Sequence, residues 1–167
     1  MATTKKSKIE LQTFSDVPEN VDLNMLITVK NGYHGTLVYV SPRTREQFIW
    51  NSFGDEQELE LKELRSIKST NKSFYENNYF MFDDEFSWVI KYLGLTKYYE
   101  HAIGMKGFDD LFTSTPAEIK SVVGKMSSGQ KKSLVYCVRE KIASGEIDSM
   151  KVVNALEDAL GVNFTTK

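Results

Sequence analysis

The sequence is poor in the residues that usually announce chemistry. Its 167 residues hold one cysteine, Cys137, and two histidines, His34 and His101. A single thiol excludes an internal disulfide and any cysteine-clustered zinc or iron–sulfur site. Two histidines far apart in sequence argue against a His-rich metal centre or a histidine-based triad. Proline is scarce, at three residues, and no tract is rich in proline, glycine or serine. No apolar run approaches the roughly 18 residues of a membrane span, and the basic start at Lys5, Lys6 and Lys8 is not followed by the apolar stretch of a secretory signal. Charge of one sign is lacking too: 21 basic and 23 acidic residues leave a formal charge of −2. No large cationic field exists to drive non-specific nucleic-acid binding.

What is present suits a folded chain. The hydrophobic set makes up 41%, the charged set 26% and the aromatics 12% of the sequence, values that argue against disorder. A chain of this length buries enough surface to hold a core without staples. The lone thiol and the absent span and signal fit a soluble protein of a reducing cytoplasm.

Local patterns divide the chain into three parts. Residues 1–21 are polar and read as a flexible arm, with Ile9, Leu11, Phe14 and Val17 as anchors if it orders on a partner. Residues 22–82 read as a β-rich module. Leu23–Val29, Thr36–Val40 and Gln47–Trp50 are strand-like and separated by Asn31-Gly32-Tyr33-His34-Gly35 and Ser41-Pro42-Arg43-Thr44-Arg45. Asn-Gly is a strong turn signal, and the second glycine permits another positive φ. These short spacings predict an antiparallel meander. A helix is expected over about 56–68 with Asp55 as its N-cap, although the alternation in Leu59–Lys62 also allows a strand. Tyr79–Phe82 reads as a closing strand.

Residues 83–167 read as a helical domain packed against the module. Asp83 or Asp84 caps a run carrying Phe86, Val89, Ile90 and Leu93, stopped by Gly94. Gly104 and Gly107 are expected to break the chain. Thr115-Pro116-Ala117-Glu118 is a helix start: a capping threonine, proline at the first position and a reciprocal glutamate. Further helices are expected from Ser127 or Ser128 to Gly145, and from Asp148 to Gly161. The fold class is therefore α+β, a small antiparallel β module (an SH3-like barrel or a meander) followed by a C-terminal helical bundle.

Two stretches carry a resemblance. The first runs from Gly35-Thr36-Leu37-Val38-Tyr39-Val40-Ser41-Pro42-Arg43-Thr44 through Phe48-Ile49-Trp50 and Phe53-Gly54-Asp55-Glu56-Gln57 to Leu64. The second joins Ser128-Gly129-Gln130-Lys131-Lys132-Ser133 to Gly145-Glu146-Ile147-Asp148-Ser149 and Val152–Glu157. Together they resemble small proteins of bacteriophages and prophages of Gram-positive bacteria. The resemblance implies a virion or assembly component, or an early host-directed regulator, in the bacterial host cytoplasm during assembly or in the virion. It brings no catalytic motif.

Candidate sites are weighed on residue chemistry. No phosphate loop is present; Gly104-Met105-Lys106-Gly107 lacks the strand and the glycines of one. Asp83-Asp84-Glu85 and Asp109-Asp110 have the oxygen ligands that Mg²⁺ or Ca²⁺ prefer, but sit where carboxylates cap helices. Cys137 lies in the apolar run Leu134–Val138 and reads as an inert core thiol. No metal, cofactor or catalytic residue is therefore assigned. In the β module, Tyr33, Phe48 and Trp50 with Arg43 and Arg45 are the candidate partner-binding set, because aromatics beside arginines grip peptides or stack on bases. The alternative is that the rings form the core. Both faces of Phe48-Ile49-Trp50 carry apolar residues, so one face needs a cover from the helical part or another chain. The expected function is non-enzymatic, in phage virion structure or assembly, with other phage proteins or a second copy as partner and no membrane. The alternative is a nucleic-acid-binding regulator whose helix-turn-helix presents Lys131, Lys132 and Arg139. Residues 108–167 balance eight basic against eight acidic residues, which weakens that alternative.

Overall fold

A computed structural model describes residues 9–164. Five strands and eight helices follow in the order β1 (Leu26–Asn31), β2 (Leu37–Val40), β3 (Gln47–Trp50), β4 (Glu56–Glu60), α1 (Leu61–Thr70), α2 (Ser73–Glu76), β5 (Phe80–Met81), α3 (Trp88–Tyr92), α4 (Thr96–Tyr99), α5 (Met105–Leu111), α6 (Pro116–Gly124), α7 (Ser128–Ala143) and α8 (Met150–Leu160). A 3₁₀ turn, Asp84–Phe86, precedes α3. The architecture is α+β, with small antiparallel sheets followed by helices, and the strands form no closed barrel.

Two sheets replace a barrel. One has the order β4-β1-β5; the other is the β2–β3 hairpin. Alternation along β1 buries Ile27, Val29 and Asn31. Antiparallel pairing runs from Leu26 opposite Glu60 to Lys30 opposite Glu56. This pairing corrects the helix expected over 56–68. Glu56–Glu60 alternates, Leu59 faces the core, and the ladder to β1 overrides a weak local helix preference. The helix begins only at Leu61, where Leu61, Leu64 and Ile67 fall on one buried stripe. Asp55 caps a turn instead: its Oδ2 accepts the backbone N–H groups of Asn51 and Ser52 at 2.8 and 3.1 Å, beside Gly54 at φ +90°. The strand expected over 79–82 shortens to Phe80–Met81, which pairs with Asn31 and Lys30.

The Asn31-Gly32 step works differently from a positive-φ turn, since neither Gly32 nor Gly35 has a positive φ. Buried Asn31 donates from Nδ2 to the carbonyls of Gly35 and Ser52, both at 2.9 Å, and accepts from the Tyr33 N–H at 2.8 Å. Gly32 is required by close approach: a Cβ there would lie 2.5 Å from the Asn78 carbonyl oxygen.

Helix boundaries follow their caps. Thr115 accepts from the Glu118 N–H with Pro116 at the first position, and Ser127 caps α7 by accepting from the Gln130 N–H. Ser149, rather than Asp148, caps α8, which ends at Gly161 with φ +68°. Gly107 does not break the chain but lies inside α5, where its missing Cβ admits the Glu10 carbonyl oxygen.

The core has two clusters. The first joins β1–β4 to α1, α3 and α4 and reaches Ala102. The second starts at Ile103 and gathers α5–α8, with Met81 of β5 and Ile9. Along the helical part the change of core falls at Ala102–Ile103. Residues 9–15 are not a free arm. Ile9 is buried, Leu11 bridges Ile103, Gln12 donates its backbone N–H to Ala102 at 2.9 Å, and Gly104 donates to the Glu10 carbonyl. The first eight residues of the expected arm lie outside the described residues.

Candidate functional site

The β2–β3 hairpin holds most residues of the partner-binding set. Its strands pair Leu37 with Trp50, Val38 with Ile49, Tyr39 with Phe48 and Val40 with Gln47. Because both strands are apolar on both faces, only one face can go inward. Leu37, Tyr39 and Trp50 do so, and the Trp50 indole N–H donates to the Val29 carbonyl at 3.0 Å. The other face is left in solvent: Val38 is 43% exposed, Val40 52% and Ile49 37%. β2 forms the outer edge of this ribbon, whereas β3 lies beside β4, joined by a hydrogen bond from Gln57 Nε2 to the Ile49 carbonyl at 2.8 Å.

This arrangement revises the expected set residue by residue. Trp50 is fully buried and is a core residue, because its large ring and N–H both find partners inside. Phe48 is half-buried, stacked on Tyr39 with ring centroids 6.1 Å apart. Tyr33 is half-buried against the rings of His34 and Tyr79, at 4.1 and 4.8 Å. Arg43 is committed internally, donating to Glu63 Oε2 at 2.7 Å. Arg45 remains available: it is exposed, at φ 63°, and its backbone N–H closes the turn onto the Ser41 carbonyl. Sequence reasoning missed Val38, Val40 and Ile49. The signal was the doubled apolar face, which could not say which face lies inside.

Glu63 anchors the hairpin from α1. It is buried, and its Oε1 accepts from the Tyr39 hydroxyl at 2.5 Å. Burial disfavours its charge, but hydrogen bonds from Tyr39, Ser41 and Arg43 outweigh this and hold the carboxyl below its ordinary range. Burial and the neighbouring carboxylate push the Tyr39 hydroxyl well up, so it stays a neutral donor.

The geometry lends the helix-turn-helix expectation little support. A recognition helix offers its N-terminal turns to the groove. One side of the first turns of α7 is docked on the protein: the Gly129 N–H donates to Asn77 Oδ1, Ser133 Oγ donates to the Gly32 carbonyl at 2.6 Å, and Gln130 grips Ile103. Lys131 is half-buried, while Lys132 and Arg139 are exposed and Arg139 covers the Phe164 ring at 5.9 Å.

The remaining candidates are structural. Asp83 pairs with Lys30 at 3.1 Å, Asp84 accepts from Thr13 Oγ1, and Asp110 accepts the Glu10 N–H. Among the described residues no cluster of His, Cys, Asp and Glu is arranged to hold a metal ion, and no helix is long and apolar enough to cross a membrane. Burial pushes the Cys137 thiol up to about 12. His34 Nδ1 is buried with no hydrogen-bond partner among the described residues; burial and nearby Lys132 lower its pKa. Comparison with known protein families, curated proteins and solved structures gives no match to this chain.

Proposed function

We propose that the chain is a non-enzymatic protein of bacteriophage virion structure or assembly that acts through protein–protein contacts, and that the exposed hairpin face makes the contact. The phage setting rests on the resemblance of the two sequence stretches. The contact rests on one observation: Val38, Val40 and Ile49 form an uncharged aliphatic face on an unpaired edge hairpin. Such edges pair with other strands unless charge or proline blunts them, and neither is present within β2.

A second copy is the partner that the patch fits. It carries no charge at its centre, so it is self-complementary in a two-fold contact, where the same surface is buried on both sides. Arg45 and Glu46, both exposed, stand at the turn as a rim of both signs. Three aliphatic side chains do not fill the roughly 800 Å² per partner of a standard interface, so affinity is expected in the micromolar range.

Light scattering after size exclusion, over a concentration series, tests this. The expected result is a concentration-dependent oligomer that Val38→Asp with Ile49→Asp returns to monomer without lowering Tm. A wild-type chain that stays monomeric throughout, or an oligomer that the double variant leaves intact, overturns it.

A further inference from the structure

The net charge of −2 does not say which lysines find a carboxylate. Lys30, Lys62, Lys91, Lys120 and Lys141 each lie within 4 Å of a carboxylate. Lys68, Lys72, Lys97 and Lys125 are exposed and have no such partner among the described residues, a lack that Lys106, Lys131, Lys132 and Lys151 share elsewhere. The fold gathers the first four along one strip. Lys68, in the last turn of α1, reaches to 3.7 Å from the position a Cβ would take on Gly94. Lys72, just before α2, and Lys97, on α4, both stand over the Tyr98 ring, at 5.8 and 5.0 Å from its centroid. Lys97 and Tyr98 then line one cavity of about 180 Å³ with His101, Lys125 and Ser127.

The strip is held by a buried residue. Asn78, at φ 57°, donates from Nδ2 to the Tyr98 carbonyl at 2.8 Å and accepts the Ser127 hydroxyl on Oδ1 at 2.7 Å. One side chain thus fixes α4 relative to the start of α7. Hydrogen bonds and charge from Lys72 and Lys97 lower the Tyr98 hydroxyl pKa. Two carboxylates adjoin the strip: Glu76, which lines the cavity, and Glu100, 4.0 Å from His101. They leave the four lysines in excess.

We propose that this strip binds a phosphodiester chain, with single-stranded nucleic acid as its ligand. Lysines spaced along a groove track successive phosphates, and the Tyr98 ring beneath Lys72 and Lys97 sets the two ammonium groups along it. A duplex reader would need a helix free to enter a groove, and α7 is docked at its N-terminal turns. The strip does not include the hairpin patch, so either proposal can fail without the other.

Fluorescence anisotropy with a labelled oligothymidylate of about 16 nucleotides tests it, at salt from about 50 to 200 mM. Binding is expected to weaken with salt at a log–log slope of about −3, the sum for four lysines at about −0.7 each. Lys72→Glu with Lys97→Glu should weaken it about tenfold or more at the lowest salt. Lys131→Glu with Lys132→Glu should leave it within about twofold, since the strip is unchanged. Tyr98→Ala should weaken it and Tyr98→Phe preserve it. Circular dichroism melting confirms that these surface variants fold. The proposal is overturned by no binding at low salt, by equal loss in both charge-reversed pairs, or by binding to phosphatidylglycerol vesicles and not to the oligonucleotide.

Discussion

The side-chain amide of Gln130, on α7, brackets the backbone of Ile103: Oε1 accepts the Ile103 N–H and Nε2 donates to the Ile103 carbonyl, both at 3.0 Å. Gln130 is buried, and Ile103 is the first residue of the second core cluster after Ala102. One glutamine therefore satisfies both polar groups of the residue where the chain passes from one core to the other. Gln130→Leu should orphan both, for a loss of about 2–4 kcal/mol in urea unfolding. A loss below about 0.5 kcal/mol would mean that water replaces the amide.

Glu63 makes stability depend on acid. Its carboxyl is held below the ordinary value of 4.5 in the folded chain. A depressed folded pKa contributes stability that is fully present above the unfolded value and is lost as pH falls through the folded one. Glu63→Gln should therefore flatten the fall in urea midpoint below about pH 4.5 and lower stability at pH 7 by about 1–3 kcal/mol. An unchanged acid limb would show that the carboxyl does not titrate with folding.

Trp50 and Ile49 are neighbours with opposite consequences. Trp50→Ala should cost about 3–5 kcal/mol, because it empties a fully buried site and removes a donor. Ile49→Ala should cost under about 1 kcal/mol and act on association instead. Paired urea unfolding and light scattering separate the two.

Gly129 marks where α7 docks. A Cβ at this position would collide with the backbone of Asn77. Gly129→Ala should destabilise by about 1–3 kcal/mol despite the better helix propensity of alanine. A stabilised variant would show that α7 can shift at little cost.

The Cys137 thiol, pushed up to about 12, should react slowly with iodoacetamide at neutral pH. Urea should restore the rate of an unfolded thiol. A fast native reaction would contradict its burial.

Three helix signals were legible in the sequence, whereas Asp55, Asp83 and Asp148 do not cap the helices expected of them. Thr115-Pro116, Ser127 and Gly161 act within one helical turn, so local chemistry decides them. The sequence was weaker where distant pairing decides: Glu56–Glu60 becomes a strand only because β1 lies beside it. The candidate site was half legible. Two apolar faces on Phe48-Ile49-Trp50 announced an exposed one, but only the core chooses between Ile49 and Trp50. The lysine strip was hidden for another reason. Lys72, Lys97 and Lys125 come from three separate stretches, and overall charge averages them away. The local trace was the absence of any acid between Glu63 and Glu76, with Arg65, Lys68 and Lys72 inside that interval.

The strap formed by residues 9–12 sets an order of events. The Glu10 N–H bonds to Asp110 Oδ2, 100 positions later. During synthesis these early residues leave the ribosome long before Ala102–Asp110 exist to receive them, at a few to about 20 residues per second. Ile9 must wait for several seconds as an exposed apolar group. The strap therefore cannot lock before α5 exists, and its loop closure is slow relative to the hairpins and helices that it fastens. A nascent chain paused before Asp110 should remain open to a chaperone at its strap, and release should come only once α5 has emerged.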